Sequence, residues 1–100
     1  MNMNIQNLMK QAQQMQREIQ KIQTELESTE YNGTSALVNV VVNGKKDLLR
    51  VNINNKEEIT CDDIEMLEDM ILTAVNDAFK KVDADKEAKL SKYQGLAGMI

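Results

Sequence analysis

Five carboxylates, Asp62, Asp63, Glu65, Glu68 and Asp69, gather in a short stretch of the chain and are the first place to look for chemistry. At i, i+3 and i+4 some of them share a helix face, and oxygen ligands so arranged suit a hard divalent cation. The plainer reading is that acids collect where a helix begins, complementing its dipole while staying solvated. That reading is adopted, because the other raw materials of catalysis are missing. There is no histidine, which excludes imidazole base catalysis and His-containing metal sites. Cys61 is the single cysteine, so it builds neither a disulfide framework nor a structural zinc site, and it reads as an incidental thiol suited to a reducing cytosol. Ser28, Ser35 and Ser91 lack a triad partner. The four glycines, at 33, 44, 95 and 98, do not have the spacing of a phosphate-binding loop. No enzyme, cofactor or metal role is expected.

The basic residues offer another kind of chemistry. Lys10, Arg17 and Lys21 recur along the first segment, and Lys80, Lys81, Lys86, Lys89 and Lys92 along the last. Such residues are ordinarily solvated charges; doubled in a dimer and set on projecting helices, they could contact phosphates. The net charge of -4 is unevenly spread: residues 55–78 hold eight acids against Lys56, while residues 79–100 hold five lysines against three acids. That is not the profile of a strongly basic nucleic-acid binder.

These charges are positioned by two long helical patterns. From Asn4 to about Glu27 the apolar residues Ile5, Leu8, Ala12, Met15, Ile19, Ile22 and Leu26 alternate in steps of three and four, the a/d seam of a helix that packs lengthwise on another. Lys10, Arg17 and Lys21 fall on the opposite face. The second helix is expected from about 62 to 92. It opens on Asp62-Asp63-Ile64-Glu65 with capping-box spacing and carries a broader stripe from Ile64 through Leu67, Ile71, Ala74 and Ala78 to Val82. This stripe suits packing on a sheet as well as on a helix, and it is the expected cover for the seam of the first helix, from the same chain or from a second subunit. Beyond Val82 the pattern thins, which predicts a segment extending into solvent, ended by Gly95 and followed by a tail. Met9, Met15, Met66 and Met70 are read as gap-filling core.

Between the helices the period changes to two. A short edge strand with a turn near Asn32-Gly33 is expected first. Ala36, Val38, Val40 and Val42 then share one face of a strand; Asn43-Gly44 signals a hairpin; Leu49, Val51 and Ile53 share a face of the next strand. Cross-strand matching favours a four-residue loop, Asn43 to Lys46, pairing Val40 with Leu49 and Val38 with Val51. The whole is one α+β domain spanning residues 1–100, with a small antiparallel sheet of two to three strands between long helices. Its three aromatic residues and narrow exposed seam favour a homodimer. No secretory leader is evident in the first residues, and no apolar run approaches the roughly 18 residues of a membrane span.

Four stretches together resemble the YbaB/EbfC family of bacterial nucleoid-associated proteins. They are Asn7-Leu8-Met9-Lys10-Gln11-Ala12-Gln13-Gln14-Met15-Gln16, Leu37-Val38-Asn39-Val40-Val41-Val42-Asn43-Gly44 with Val51-Asn52-Ile53, Asp62 through Ile71, and Ala74-Val75-Asn76-Asp77-Ala78. They cover essentially the whole chain in order. Two departures are visible: the family's Gly-rich first hairpin is reduced to Gly33, and Asn54 stands where an Asp is usual. The resemblance implies a tweezer-shaped homodimer that binds double-stranded DNA with limited sequence preference, sits on the nucleoid in the cytoplasm, and influences gene expression or DNA maintenance. It also implies DNA contacts on the two long helices, hence Lys10, Arg17, Lys21, Lys80, Lys81, Lys86, Lys89 and Lys92. A membrane or a small-molecule substrate is not implied. The alternative is a coiled-coil interaction or prefoldin-like chaperone module, which would need exposed apolar residues at its helix tips. Asn4 to Lys10 reads as more polar than that.

Overall fold

Residues 3–93 are described by a computed structural model. Helix α1 (Met3–Ser28) leads into strands β1 (Glu30–Thr34), β2 (Val38–Asn43) and β3 (Leu48–Ile53), and helix α2 (Ile64–Leu90) follows. Single 3-10 turns occupy Lys56–Glu58, Cys61–Asp63 and Ser91–Tyr93. The fold is therefore α+β, a long N-terminal helix, a three-stranded antiparallel sheet in the order β1-β2-β3, and a long C-terminal helix. Gly95 and the expected tail lie outside the described residues, as does the side chain of Lys92. The protein is long and thin, 75 × 20 × 15 Å. Its radius of gyration is 20.3 Å, against about 13 Å for a compact domain of this length.

The core lies between the sheet and α2. Val38, Val40 and Val42 alternate onto one face of β2 and are fully buried, together with Ala74, Ala78 and Val82 of α2. Small residues on both sides set the spacing. A Cβ on Gly33 would stand 2.0 Å from the Ala74 carbonyl oxygen and 2.7 Å from the Ala78 Cβ, so only glycine lets β1 lie this close to the helix. Hydrogen bonds tie the two layers together. The Thr34 amide donates to Asp77 at 3.1 Å, the Ser35 hydroxyl to the Met70 carbonyl at 2.7 Å, and Lys81 to the Asn32 carbonyl at 2.7 Å. The hydroxyl of Tyr31, buried on β1, donates to Asp85.

Several expectations are corrected. Asn32-Gly33 is not a turn: Gly33 lies within β1, opposite Val40, and the chain reverses at Ser35-Ala36-Leu37 instead. The β2–β3 pairing is two residues off the four-residue-loop register. Val40 faces Val51 and Val38 faces Ile53, and a bulge at Val41/Val42 brings Val42 opposite Leu48. The shift is even, so the same residues of β3 still face β2, while the bulge absorbs one residue of mismatch. β3 itself has no buried face, being exposed from Leu48 to Asn52 and half-buried only at Ile53. Asn43 dictates the longer connection, because its side-chain oxygen accepts from the amides of Lys45 and Asp47 at 2.9 and 3.0 Å, while Lys46 adopts the left-handed region. Gly44 is not at positive φ. A Cβ there would lie 1.9 Å from the Leu26 carbonyl oxygen, so glycine serves contact with the end of α1.

At α2 the expected capping box is displaced. Thr60 and Asp63 reciprocate across the Cys61–Asp63 turn, and the helix proper starts at Ile64. Its broad stripe packs on the sheet rather than on the α1 seam. The seam meets α2 only past Val82, where Leu26 is buried and Ile19 and Ile22 are half-buried. This stretch of α2, expected in solvent, is largely exposed, with only Asp85 and Leu90 half-buried, while Tyr93 beyond it is buried with its hydroxyl donating to Glu18. The other half of the seam is open, with Ile5, Leu8 and Met9 at 64, 61 and 59% exposure. Met9 and Met66 are thus exposed rather than core.

Candidate nucleic-acid interface

Three neighbourhoods hold the basic residues. Lys10, Arg17 and Lys21 project from α1 into solvent, and none forms an ion pair among the described residues. Residues two positions away from an a/d seam point away from it, which is why the heptad turned these three outward. On α2, Lys80 and Lys86 are exposed and likewise unpaired among the described residues. Lys81 and Lys89 differ. Lys81 reaches Asp77 at 3.5 Å as well as the Asn32 carbonyl, and Lys89 reaches Asp85 at 3.1 Å. Both pairings are i,i+4 along the helix and carry much of their charge inward, toward fold-stabilising acids.

Those acids are set by the sheet. The Thr34 amide, helped by Lys81, holds Asp77 below the usual carboxylate range. Asp85 is likewise held low, by the Tyr31 hydroxyl first and Lys89 second. Tyr31 itself is pushed up to about 12, by burial and then by donation to Asp85. Asp77 and Asp85 are therefore anions at neutral pH, committed to β1.

The third neighbourhood is the β2–β3 hairpin, whose Lys45 and Lys46 the periodicity did not bring forward. With Lys86 they border a cleft that Gln23, Leu26, Glu27, Gly44, Val82 and Asp83 complete. Lys46 pairs with Asp83 at 2.8 Å and lies 5.7 Å from the centre of the Phe79 ring; Lys45 is 4.0 Å from Glu27. The available signal was a pair of lysines beside an Asn-Gly turn. The acids of the opening stretch, Asp62 to Asp69, sit at the other end of α2. Among the described residues no group of three or more His, Cys, Asp or Glu is placed to hold a metal ion. Among the described residues no helix is long and apolar enough to cross a membrane.

The charge is therefore uneven along α2, acidic where the helix begins and carrying its lysines from Lys80 onward, while on α1 Lys10, Arg17 and Lys21 are balanced by Glu18, Glu25 and Glu27. Fold and surface define a small α+β protein in which two long helices beside a sheet each carry outward basic residues. Comparison with known proteins makes this particular. Residues 1–97 match the model of the YbaB/EbfC DNA-binding family. A nucleoid-associated protein of Clostridium novyi is 45% identical over 99 residues, covering 97% of this chain and 86% of that one. A nucleoid-associated protein of Acetivibrio thermocellus is 43% identical with 97% and 87% covered, and one of Streptococcus suis is 38% identical with 93% and 95% covered. The crystal structure of an uncharacterized Helicobacter pylori protein shares the fold, with a TM-score of 0.68 at 21% identity over 88% of this chain and 91% of that one. The chain belongs to the YbaB/EbfC DNA-binding family, a bacterial family of nucleoid-associated proteins.

Proposed function

We propose that this chain, as a single domain, binds double-stranded DNA as a homodimer on the nucleoid, through electrostatic and shape contacts rather than base readout or catalysis. The observation that carries the reading is the set of outward cations, Lys10, Arg17, Lys21, Lys80 and Lys86, that form no ion pair among the described residues and lie on the two long helices of a DNA-binding family member. Lys81 and Lys89 are secondary contributors, and Lys92, whose side chain lies outside the described residues, is a further candidate from the sequence. Phosphate contacts of this kind position a protein on a duplex without conveying sequence.

The homodimer is supported by surface that one chain leaves uncovered. The chain exposes 7700 Å², where a compact monomer of 11.4 kDa exposes about 5800 Å². Part of the excess is the sheet edge β3, whose Leu48, Leu49 and Val51 are all exposed. An apolar edge strand left open is an aggregation hazard that a second copy removes. Titration of random-sequence duplex against folded protein is the test, from about 50 mM salt upward. Binding should weaken with salt at a log–log slope on the order of a few, as expected when few phosphates are engaged per subunit. Charge reversal at Lys10, Arg17 and Lys21 together should weaken it at least tenfold with the fold intact. No binding at the lowest salt would overturn the reading.

A second reading, an interaction or chaperone module, draws on one observation. The tip of α1 exposes Ile5, Leu8 and Met9, contrary to the polar tip expected. Suppression of aggregation of an unfolded client, lost on Leu8→Ser and insensitive to the cation reversals, would favour it over DNA binding.

A further inference from the structure

An asparagine followed by glycine can react with its own backbone, because glycine has no side chain to shield its amide nitrogen. That nitrogen attacks the side-chain carbonyl carbon, and the side-chain nitrogen leaves as ammonia. The chain holds two such pairs, Asn32-Gly33 and Asn43-Gly44, and the fold sets them in opposite circumstances. Asn32 lies inside β1, in register opposite Val41, and Gly33 is buried against Ala74 and Ala78. Closing the ring turns the chain, which Asn32 could do only by leaving the sheet. Asn43 ends β2, and Gly44 after it lies in the turn.

The side chain of Asn43 is also held as a reacting amide needs to be. Its Oδ1 accepts from the amides of Lys45 and Asp47 at 2.9 and 3.0 Å, and its Nδ2 donates to the Asp47 carboxylate at 3.1 Å. Two backbone donors therefore converge on the oxygen that gains negative charge when a nucleophile adds to the carbon, as in an oxyanion hole. The plainer role of these bonds is to cap the loop, and one set of bonds serves both.

We propose that Asn43 is a site of self-modification, deamidated by the Gly44 nitrogen while the Lys45 and Asp47 amides stabilise the oxyanion. The bond from the Gly44 nitrogen to Asn43 Cγ forms and the Cγ–Nδ2 bond breaks. Ammonia departs, taking up the proton that Gly44 gives up. Water then opens the cyclic imide at either carbonyl, leaving aspartate or isoaspartate at position 43. Aspartate sets a like charge against Asp47 where an amide donated before. Isoaspartate adds a methylene to the main chain beside Gly44, whose close approach to the Leu26 carbonyl leaves no room for it. The modified hairpin therefore presses on the root of α1. The proposal is independent of what the chain binds.

Ageing the purified, folded chain at physiological temperature and mapping its peptides by mass tests this, beside the same chain held in guanidinium chloride. In the folded chain Asn43 should deamidate about tenfold faster than Asn32, and faster than Asn43 does in denaturant. Asn32 should show the reverse, reacting more slowly folded than unfolded. Reaction of Asn43 that is equal or slower on folding would overturn the proposal, because the hairpin would then protect the amide instead of activating it. Isoaspartate-containing chains separated from the aged sample should exchange the amides of residues 25–28 about fivefold faster than fresh protein. Equal exchange would overturn the effect on α1.

Discussion

Two apolar stripes in this molecule read alike in sequence and fare differently in structure. Along α2, Ala74, Ala78 and Val82 disappear beneath Val38, Val40 and Val42. Along α1, one seam of constant period is buried at Leu26 and bare at Ile5 and Leu8. Nothing in the spacing distinguishes the two ends of that seam. The difference is one of neighbours: the sheet comes directly after α1 in the chain and can cover only what lies near it. Periodicity reports that a face is apolar, while connectivity decides which part of that face its own chain can reach.

The sharpest way to break the comparison is Gly33→Val. With a carbonyl oxygen 2.0 Å from the added Cβ, β1 must leave the helix, at a cost of about 3 kcal/mol or more. Urea denaturation should show a large fall in midpoint, or no cooperative transition. Next comes a matched pair on the one seam. Leu26→Ala should cost about 2–3 kcal/mol, because Leu26 is 4% exposed and its removal leaves a cavity. Leu8→Ala should cost less than about 1 kcal/mol in the same assay. Equal costs at the two positions would show that the seam is covered throughout.

The smallest effect concerns the acids that fasten α2 to β1. Asp85 and Asp77 titrate below their ordinary value of 3.8 in the folded protein. The stability they contribute is therefore present above that pH and drains away as pH falls through their lower folded values. Tyr31 works in the opposite sense: its contribution is present below 10.0 and lost as pH rises toward about 12. Asp85→Asn should lower stability by about 1 kcal/mol near neutral pH and flatten the acid limb of the profile. A profile identical to wild type would mean the Tyr31–Asp85 bond does not hold the layers.

Much of the fold was legible because local rules and global packing agree. The valine alternation of β2, the seam of α1 and the stripe of α2 each specified an element of the right type. Misreadings clustered at the two glycine sites, where glycine is needed for what stands next to it. Gly33 looked like a turn residue because its role, proximity to Ala74, depends on a helix some forty residues later. The hairpin register was missed because Asn43 caps the loop with its side chain, a preference that apolar matching does not register. Of the candidate contact residues, the face of Lys10, Arg17 and Lys21 followed from the heptad. That Lys81 and Lys89 are engaged by Asp77 and Asp85 did not stand out, because those acids matter through their bonds to β1.

The contact between Gly44 and the end of α1 has a mechanical side. Helix α1 spans Met3–Ser28, an arm of about 39 Å, and it is stopped at its root by the tip of the β2–β3 hairpin. A methyl group inserted there acts as a shim under a lever. A tilt of only about 5° at the root would carry the far end of such an arm through about 3 Å. Gly44 thus fixes the aim of the leg, and with it the gap between two legs in the proposed dimer.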